Sequence, residues 1–193
     1  QWQAIGFCHG VLNTDNMSIL GLTLDYGPFQ FMDGFHPQHI CNHSDHSGRY
    51  AYDKQPQIAY WNLFCLGQAL MPLIDDQELA MKALEPYKEA YTAHWTHNFC
   101  MKLGLSQINE ADDAANMALI QSLLQMMATE KTDFTLLWRR LSQAASQTQQ
   151  SHATWQSVKD LFLDTGKFQD WQNNYMAHLQ HQGDTDAVQG MRS

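Results

Sequence analysis

Basic residues are scarce in this chain of 193 residues: 11 Lys and Arg stand against 20 Asp and Glu, for a formal net charge of −9. With no Lys-rich or Arg-rich stretch to neutralise phosphates, the sequence predicts no nucleic-acid partner. Apolar runs long enough to cross a bilayer are lacking, as is a charged-then-apolar leader. No membrane partner is therefore expected, and a cytoplasmic location is predicted. Cysteine is thin as well. Cys8, Cys41, Cys65 and Cys100 lie far apart with no C-x-x-C pair, so no disulfide framework can be read from spacing and reduced thiols are expected. No repeat of about 20–50 residues recurs, which disfavours a solenoid.

The length suits one domain with a sizeable core, and residues 1–193 are read as a single unit. The opening "QWQAIGFCHG" has no start methionine, and near the end Asp184, Thr185 and Asp186 resemble a helix start, so the chain reads as part of a longer one. In "MSILGLTLD", residues 17–25, two short apolar runs meet at Gly21, predicting a small hairpin that carries Asp25 back beside Asn16. From Pro28 to Pro56, dense Gly, Pro, His, Asp and Ser predict a long ordered loop, and a loop of that length argues for a job.

Everything after Gln57 reads as helical. "IAYWNLFCLGQALMPL" is apolar on most faces and predicts a helix buried centrally and ended by Pro72. Leu79, Leu84, Tyr87, Tyr91 and Trp95 recur at helical intervals, and amphipathic stretches follow over 111–128, 132–146, 153–163 and 167–181. Thr132 is the expected N-cap of one helix and Gly166 the expected stop of another. The polar tract "SQAASQTQQSHAT" predicts an exposed helix end or a link. The fold class that follows is mainly α, a small β-hairpin with its loop preceding a helical bundle.

The chemistry is concentrated in "HGVLNTDNMSILGLTLDYG", residues 9–27. Protein kinases carry H-R-D-x-x-x-x-N and then D-F-G, in which one Asp takes the substrate proton while Asn and the second Asp hold magnesium. In that register His9 and Asn16 fall in place, but Val11 stands where the proton acceptor belongs. Asp15, next to Asn16, is the candidate catalytic base. Asn16 and Asp25 offer one amide oxygen and one carboxylate, which suits a divalent ion that keeps water and phosphate oxygens in its shell. Taken singly, "NTDN" and "DYG" are ordinary turn sequences; their conjunction with His9 points to chemistry.

Residues 1 to about 72 closely resemble the selenoprotein O family of kinase-like protein adenylyltransferases. The likeness rests on "WQAIGFCHGVLNTDNMSILGLTLDYGPF" and "ICNHSDHSGRYAYDKQPQIAYWNLFCLGQALMPLI", and "LEPYKEAYTAHWTHNFCMKLGL" resembles the family more loosely. The resemblance implies a protein-kinase-like C-terminal lobe, with the N-terminal nucleotide-binding lobe outside these residues. It implies transfer of AMP from ATP to Ser, Thr or Tyr hydroxyls of proteins, with Asp15 as base and Asn16 and Asp25 binding Mg2+ or Mn2+ and the nucleotide. It also implies that residues 1–193 alone are inactive. The alternatives are a small-molecule phosphotransferase of the aminoglycoside-kinase type, whose aspartate two residues after the His is lacking here, and a non-catalytic pseudokinase scaffold.

His36, His39, Cys41, His43 and His46 crowd one stretch, but no second ligand cluster answers them, so ordinary hydrogen bonds are expected over zinc. By the resemblance this stretch takes the place of an activation loop, and a disulfide partner for Cys41 would lie beyond the end of the chain. Arg49 is open to pairing with a phosphate or to a structural salt bridge. Cys65 and Cys100, with Trp61, Trp95, Trp138, Trp155 and Trp171, are expected as packing residues.

Overall fold

The computed structural model describes residues 1–106, 110–145 and 152–182. The chain is mainly helical, with one two-stranded antiparallel sheet, β1 (Phe7–Cys8) and β2 (Gln30–Phe31), paired Phe7 to Phe31 and Cys8 to Gln30. Two compact units emerge. The first comprises Gln1–Phe31 and Pro37–His94, the second Met32–His36 and Trp95–Ser193.

In the first unit the strands flank the candidate loop instead of lying within residues 17–25. The expected hairpin is reduced to a single bridge, Met17 to Thr23, around a turn in which Gly21 N–H donates to Ser18 O at 3.1 Å. Its apolar side chains explain the difference: Ile19 and Leu20 are 82 % and 76 % exposed, so no packed face holds a strand in place. Within the first unit, residues 37–51 run without helix or strand and are closed by a 3-10 turn at Tyr52–Lys54.

Helix α1 (Gln55–Ile74) begins with Pro56 in its first turn, where a missing N–H costs nothing. Two expectations fail here. Pro72 lies inside the helix, which runs on to Ile74 and ends where Asp75 turns left-handed (φ 50°). Nor is the helix buried: only Gln55 and Asn62 are, while Trp61 and Leu73 are exposed. Helix α2 (Gln77–Lys82), capped by Asp76 Oδ1 on Leu79 N–H at 3.0 Å, packs on α1. The periodic segment read over 79–95 is thus broken before Pro86, where α3 (Pro86–Leu103) starts.

The second unit is built from the C-terminal part of α3 with α4 (Glu110–Glu130), α5 (Phe134–Ala145), α6 (His152–Lys159) and α7 (Thr165–Gln182). Its core is aliphatic around Ile120, Leu123, Leu137 and Leu141, all fully buried, and aromatic along α7, where Trp171 and Tyr175 stack at 5.1 Å. Trp138, Trp155 and Trp171 are buried as expected, and Cys100 with them. The caps are displaced from prediction. Asp133, not Thr132, caps α5 by accepting from Leu136 N–H at 2.8 Å, and Asp164 caps α7 through Lys167 N–H at 3.1 Å. Gly166 therefore sits in the first turn of a helix and stops none. The helix start read at Asp184–Asp186 and the middle of the polar tract lie outside the described residues.

Candidate active site

The stretch from Phe7 to Leu12 pairs with another strand at only two residues, so its remaining backbone groups need partners from elsewhere. Side chains supply them almost one by one. Gln55 Nε2 donates to Phe7 O at 2.9 Å, Cys41 Sγ to Cys8 O at 3.5 Å, and Asn42 Nδ2 to Gly10 O at 3.3 Å. Asn16 Nδ2 donates to Val11 O at 2.9 Å and Asn62 Nδ2 to Leu12 O at 3.0 Å. Gln55 also accepts from His9 N–H at 2.8 Å, so one buried amide clamps both sides of the chain at this point. Tyr50 closes the far edge, its hydroxyl donating to Asn13 Oδ1.

Gly10 is the hinge of this arrangement. Its φ is +81°, and a Cβ there would lie 2.6 Å from Cys41 Sγ and 3.0 Å from Pro28 O. Both the backbone conformation and the close approach require glycine.

His9 is 1 % exposed, stacked on Trp2 at 5.4 Å, and its Nδ1 accepts from Val11 N–H at 3.4 Å. Burial holds the imidazole below its ordinary pKa, while the Asp25 carboxylate and backbone carbonyl partly offset this. Nε2 has no partner within hydrogen-bonding geometry. The first and last parts of the candidate motif thus come together through His9 and Asp25.

Asp15 lies in a 3-10 turn, Thr14–Asn16, and is exposed, as is Asp25. Among the described residues no hydrogen bond or ion pair joins Asp15, Asn16 and Asp25 to one another. With Nδ2 of Asn16 committed to Val11 O, its Oδ1 is the amide's remaining acceptor and makes no hydrogen bond among the described residues. By chemistry the donor types suit a hard divalent ion, one amide oxygen and one carboxylate on an exposed residue. Among the described residues no group of three His, Cys, Asp or Glu side chains is arranged to hold a metal.

That stretch makes internal hydrogen bonds. His39 Nε2 lies 3.0 Å from Gln30 Oε1, and Asp45 accepts from Arg49 N–H at 2.9 Å and Tyr50 N–H at 2.8 Å. Slight burial raises the Asp45 carboxyl, but these N–H groups outweigh it and hold the group below the ordinary carboxylate range. The Arg49 guanidinium lies 5.7 Å from the Tyr50 ring centroid and forms no ion pair among the described residues. Cys41 is partly buried; that burial and the neighbouring Cys8 push its thiol up to about 12. The thiol is thereby kept protonated, as a donor to Cys8 O requires. Cys65, expected in a core, instead lines an open cavity.

Sequence reasoning missed Gln55, Asn62, Asn42 and the Asn13–Tyr50 pair. Pro56 marks a helix start beside Gln55, but no local pattern ties a glutamine to a loop 46 residues earlier.

The chain matches the family described as "Protein adenylyltransferase SelO" over residues 1–192 and belongs to that family. It is 56 % identical over 181 residues to the protein named "Protein nucleotidyltransferase YdiU" of Albidiferax ferrireducens, covering 94 % of this chain and 36 % of that protein. The namesake of Variovorax paradoxus is 58 % identical over 171 residues, 89 % of this chain and 33 % of the relative. That of Myxococcus xanthus is 47 % identical over 192 residues, 100 % of this chain and 38 % of the relative. The chain therefore spans little more than a third of the length of these relatives. Among the described residues no helix is long and apolar enough to cross a membrane.

Proposed function

We propose that the protein containing this chain is a metal-dependent adenylyltransferase that moves AMP from ATP to Ser, Thr or Tyr hydroxyls of proteins. The observation that carries the reading is the Asn16 amide, whose Nδ2 is held by Val11 O at 2.9 Å while its Oδ1 makes no hydrogen bond among the described residues, one residue from the exposed Asp15. In this reading Asn16 and Asp25 hold Mg2+ or Mn2+ with the nucleotide, and Asp15 accepts the proton of the attacking hydroxyl. A bound divalent ion would supply positive charge to the phosphate oxygens where negative charge builds. The hydroxyl oxygen bonds to the α-phosphorus, pyrophosphate leaves, and the released proton passes to the Asp15 carboxylate. The loss of an acid at Val11 is then no obstacle, because proton acceptance has moved to a neighbour of the metal ligand.

The mainly helical units belong, on this proposal, to a kinase-like C-terminal lobe. The nucleotide-binding lobe lies in the part of the protein outside residues 1–193, and these residues transfer nothing alone. The test uses the full-length protein with a divalent metal and ATP labelled at the α or the γ phosphate. Protein-bound α label without γ label, lost in Asp25→Ala, is the expected result. Transfer of γ label would replace the reading with a phosphotransferase, and nucleotide binding without transfer would replace it with a scaffold.

A further inference from the structure

Helix α1 is buried the wrong way round for a helix facing water. Its 20 residues contain no Asp, Glu, Lys or Arg, yet the two side chains it buries, Gln55 and Asn62, are polar. Leu66, Leu70 and Leu73, 37 %, 39 % and 83 % exposed, follow at helical spacing and form one apolar stripe. Asn62 starts the same stripe. It is 5 % exposed, its Nδ2 is engaged by Leu12 O, and its Oδ1 has no partner. Between α1 and the loop Thr14–Gly21 lies a cavity of about 600 Å³, walled by Asn62 together with Met17, Ile19, Leu63, Cys65 and Leu66.

We infer that in the whole protein this stripe and cavity are filled by an apolar segment of the same polypeptide from outside residues 1–193. Three observations select this occupant. An uncharged, largely apolar helix face of this extent is rarely left to solvent on a soluble protein. A lipid surface is a poor match, because α1 offers no lysine or arginine for headgroups. Ample polypeptide exists to supply the cover, since the relatives are nearly three times as long as the matched region. The filled cavity would also back the loop that carries Asp15 and Asn16 from its inner side, through Thr14 and Met17.

Cys65 on the cavity wall reports the answer in the full-length wild-type protein. Alkylation followed by peptide mass spectrometry is expected to modify Cys65 at least tenfold more slowly in the native protein than in urea. That protection should not change on dilution to a monomer verified by sedimentation. Labelling of native Cys65 at the unfolded rate would overturn the inference, and protection lost on dilution would assign the face to a second copy instead. Leu66→Asp with Leu70→Asp should lower the melting temperature or prevent folding, whereas Leu163→Gln, at a side chain 89 % exposed, should not. A double variant that melts with wild type would also overturn it. AMP transfer is read separately, so protected Cys65 in a protein that transfers nothing would remove the enzymatic reading and leave this one standing.

Discussion

Replacing Gln55 by Leu is the most direct test of how the candidate loop is held. The shape is nearly kept, but His9 N–H and Phe7 O lose their partners, at 2.8 and 2.9 Å, in a place closed to water. Each stranded group costs about 1–3 kcal/mol, so the pair costs about 2–6 kcal/mol, a large share of the roughly 5–15 kcal/mol that holds a typical domain. Amide hydrogen exchange in the full-length protein measures this locally. A loss of about 2 kcal/mol corresponds to exchange roughly 30-fold faster. That acceleration is expected in peptides covering residues 7–12 and not in those covering α5 to α7. Gln55→Glu refines the test. Its carboxylate still accepts from His9 but can donate to Phe7 O only when protonated, and burial raises its folded pKa above the unfolded value of about 4.3. The stabilising contribution is therefore present below that unfolded value and is lost as pH rises through the folded one. Exchange in Gln55→Leu indistinguishable from wild type would refute the reasoning, because it would mean that the two backbone groups do not depend on the amide.

Three further perturbations probe the same framework. Gly10→Ala must place a side chain at φ +81° and 2.6 Å from Cys41 Sγ, and should cost about 2–4 kcal/mol; thermal melting is expected to recover part of the loss in the double variant with Cys41→Ala and not the part due to φ. Burial holds His9 below the ordinary imidazole pKa of 6.5, so the unfolded chain takes up the proton first. Its contribution is present above that value and declines as pH falls toward the depressed folded pKa, by up to about 1.4 kcal/mol per unit; this slope should vanish in His9→Gln when melting is compared across pH 5 to 8. Tyr175→Phe removes the donor to Leu103 O at 2.7 Å inside the second unit, and should lower stability by about 1–2 kcal/mol without altering exchange in residues 7–12.

Helices α4 to α7 were legible because each couples an apolar stripe to a break rich in Asp, Thr or Gly. Their ends were less so: at 132–133 and 164–166 two candidate caps compete, and the carboxylate of Asp133 or Asp164 reaches the orphan N–H groups. Helix α1 misled in burial, since an apolar sequence states that a surface needs covering and not that these residues supply the cover. At the site, the spacing of His9, Asp15, Asn16 and Asp25 could be read directly. The residues that hold the loop could not, because Gln55, Asn62 and Asn42 act through backbone atoms 32 to 50 positions away, and a backbone acceptor leaves no trace in sequence.

The bond from Asn16 to Val11 separates two duties at one position. Every residue has a carbonyl, so the anchor that holds the Asn16 amide survives whatever side chain stands at position 11. An ancestral acid there could be exchanged for valine without disturbing the oxygen presented by Asn16. On the function proposed above, the proton acceptor can stand at Asp15 with valine at position 11 while this anchor stays intact, and a motif search that insists on an acid at position 11 would discard such a chain.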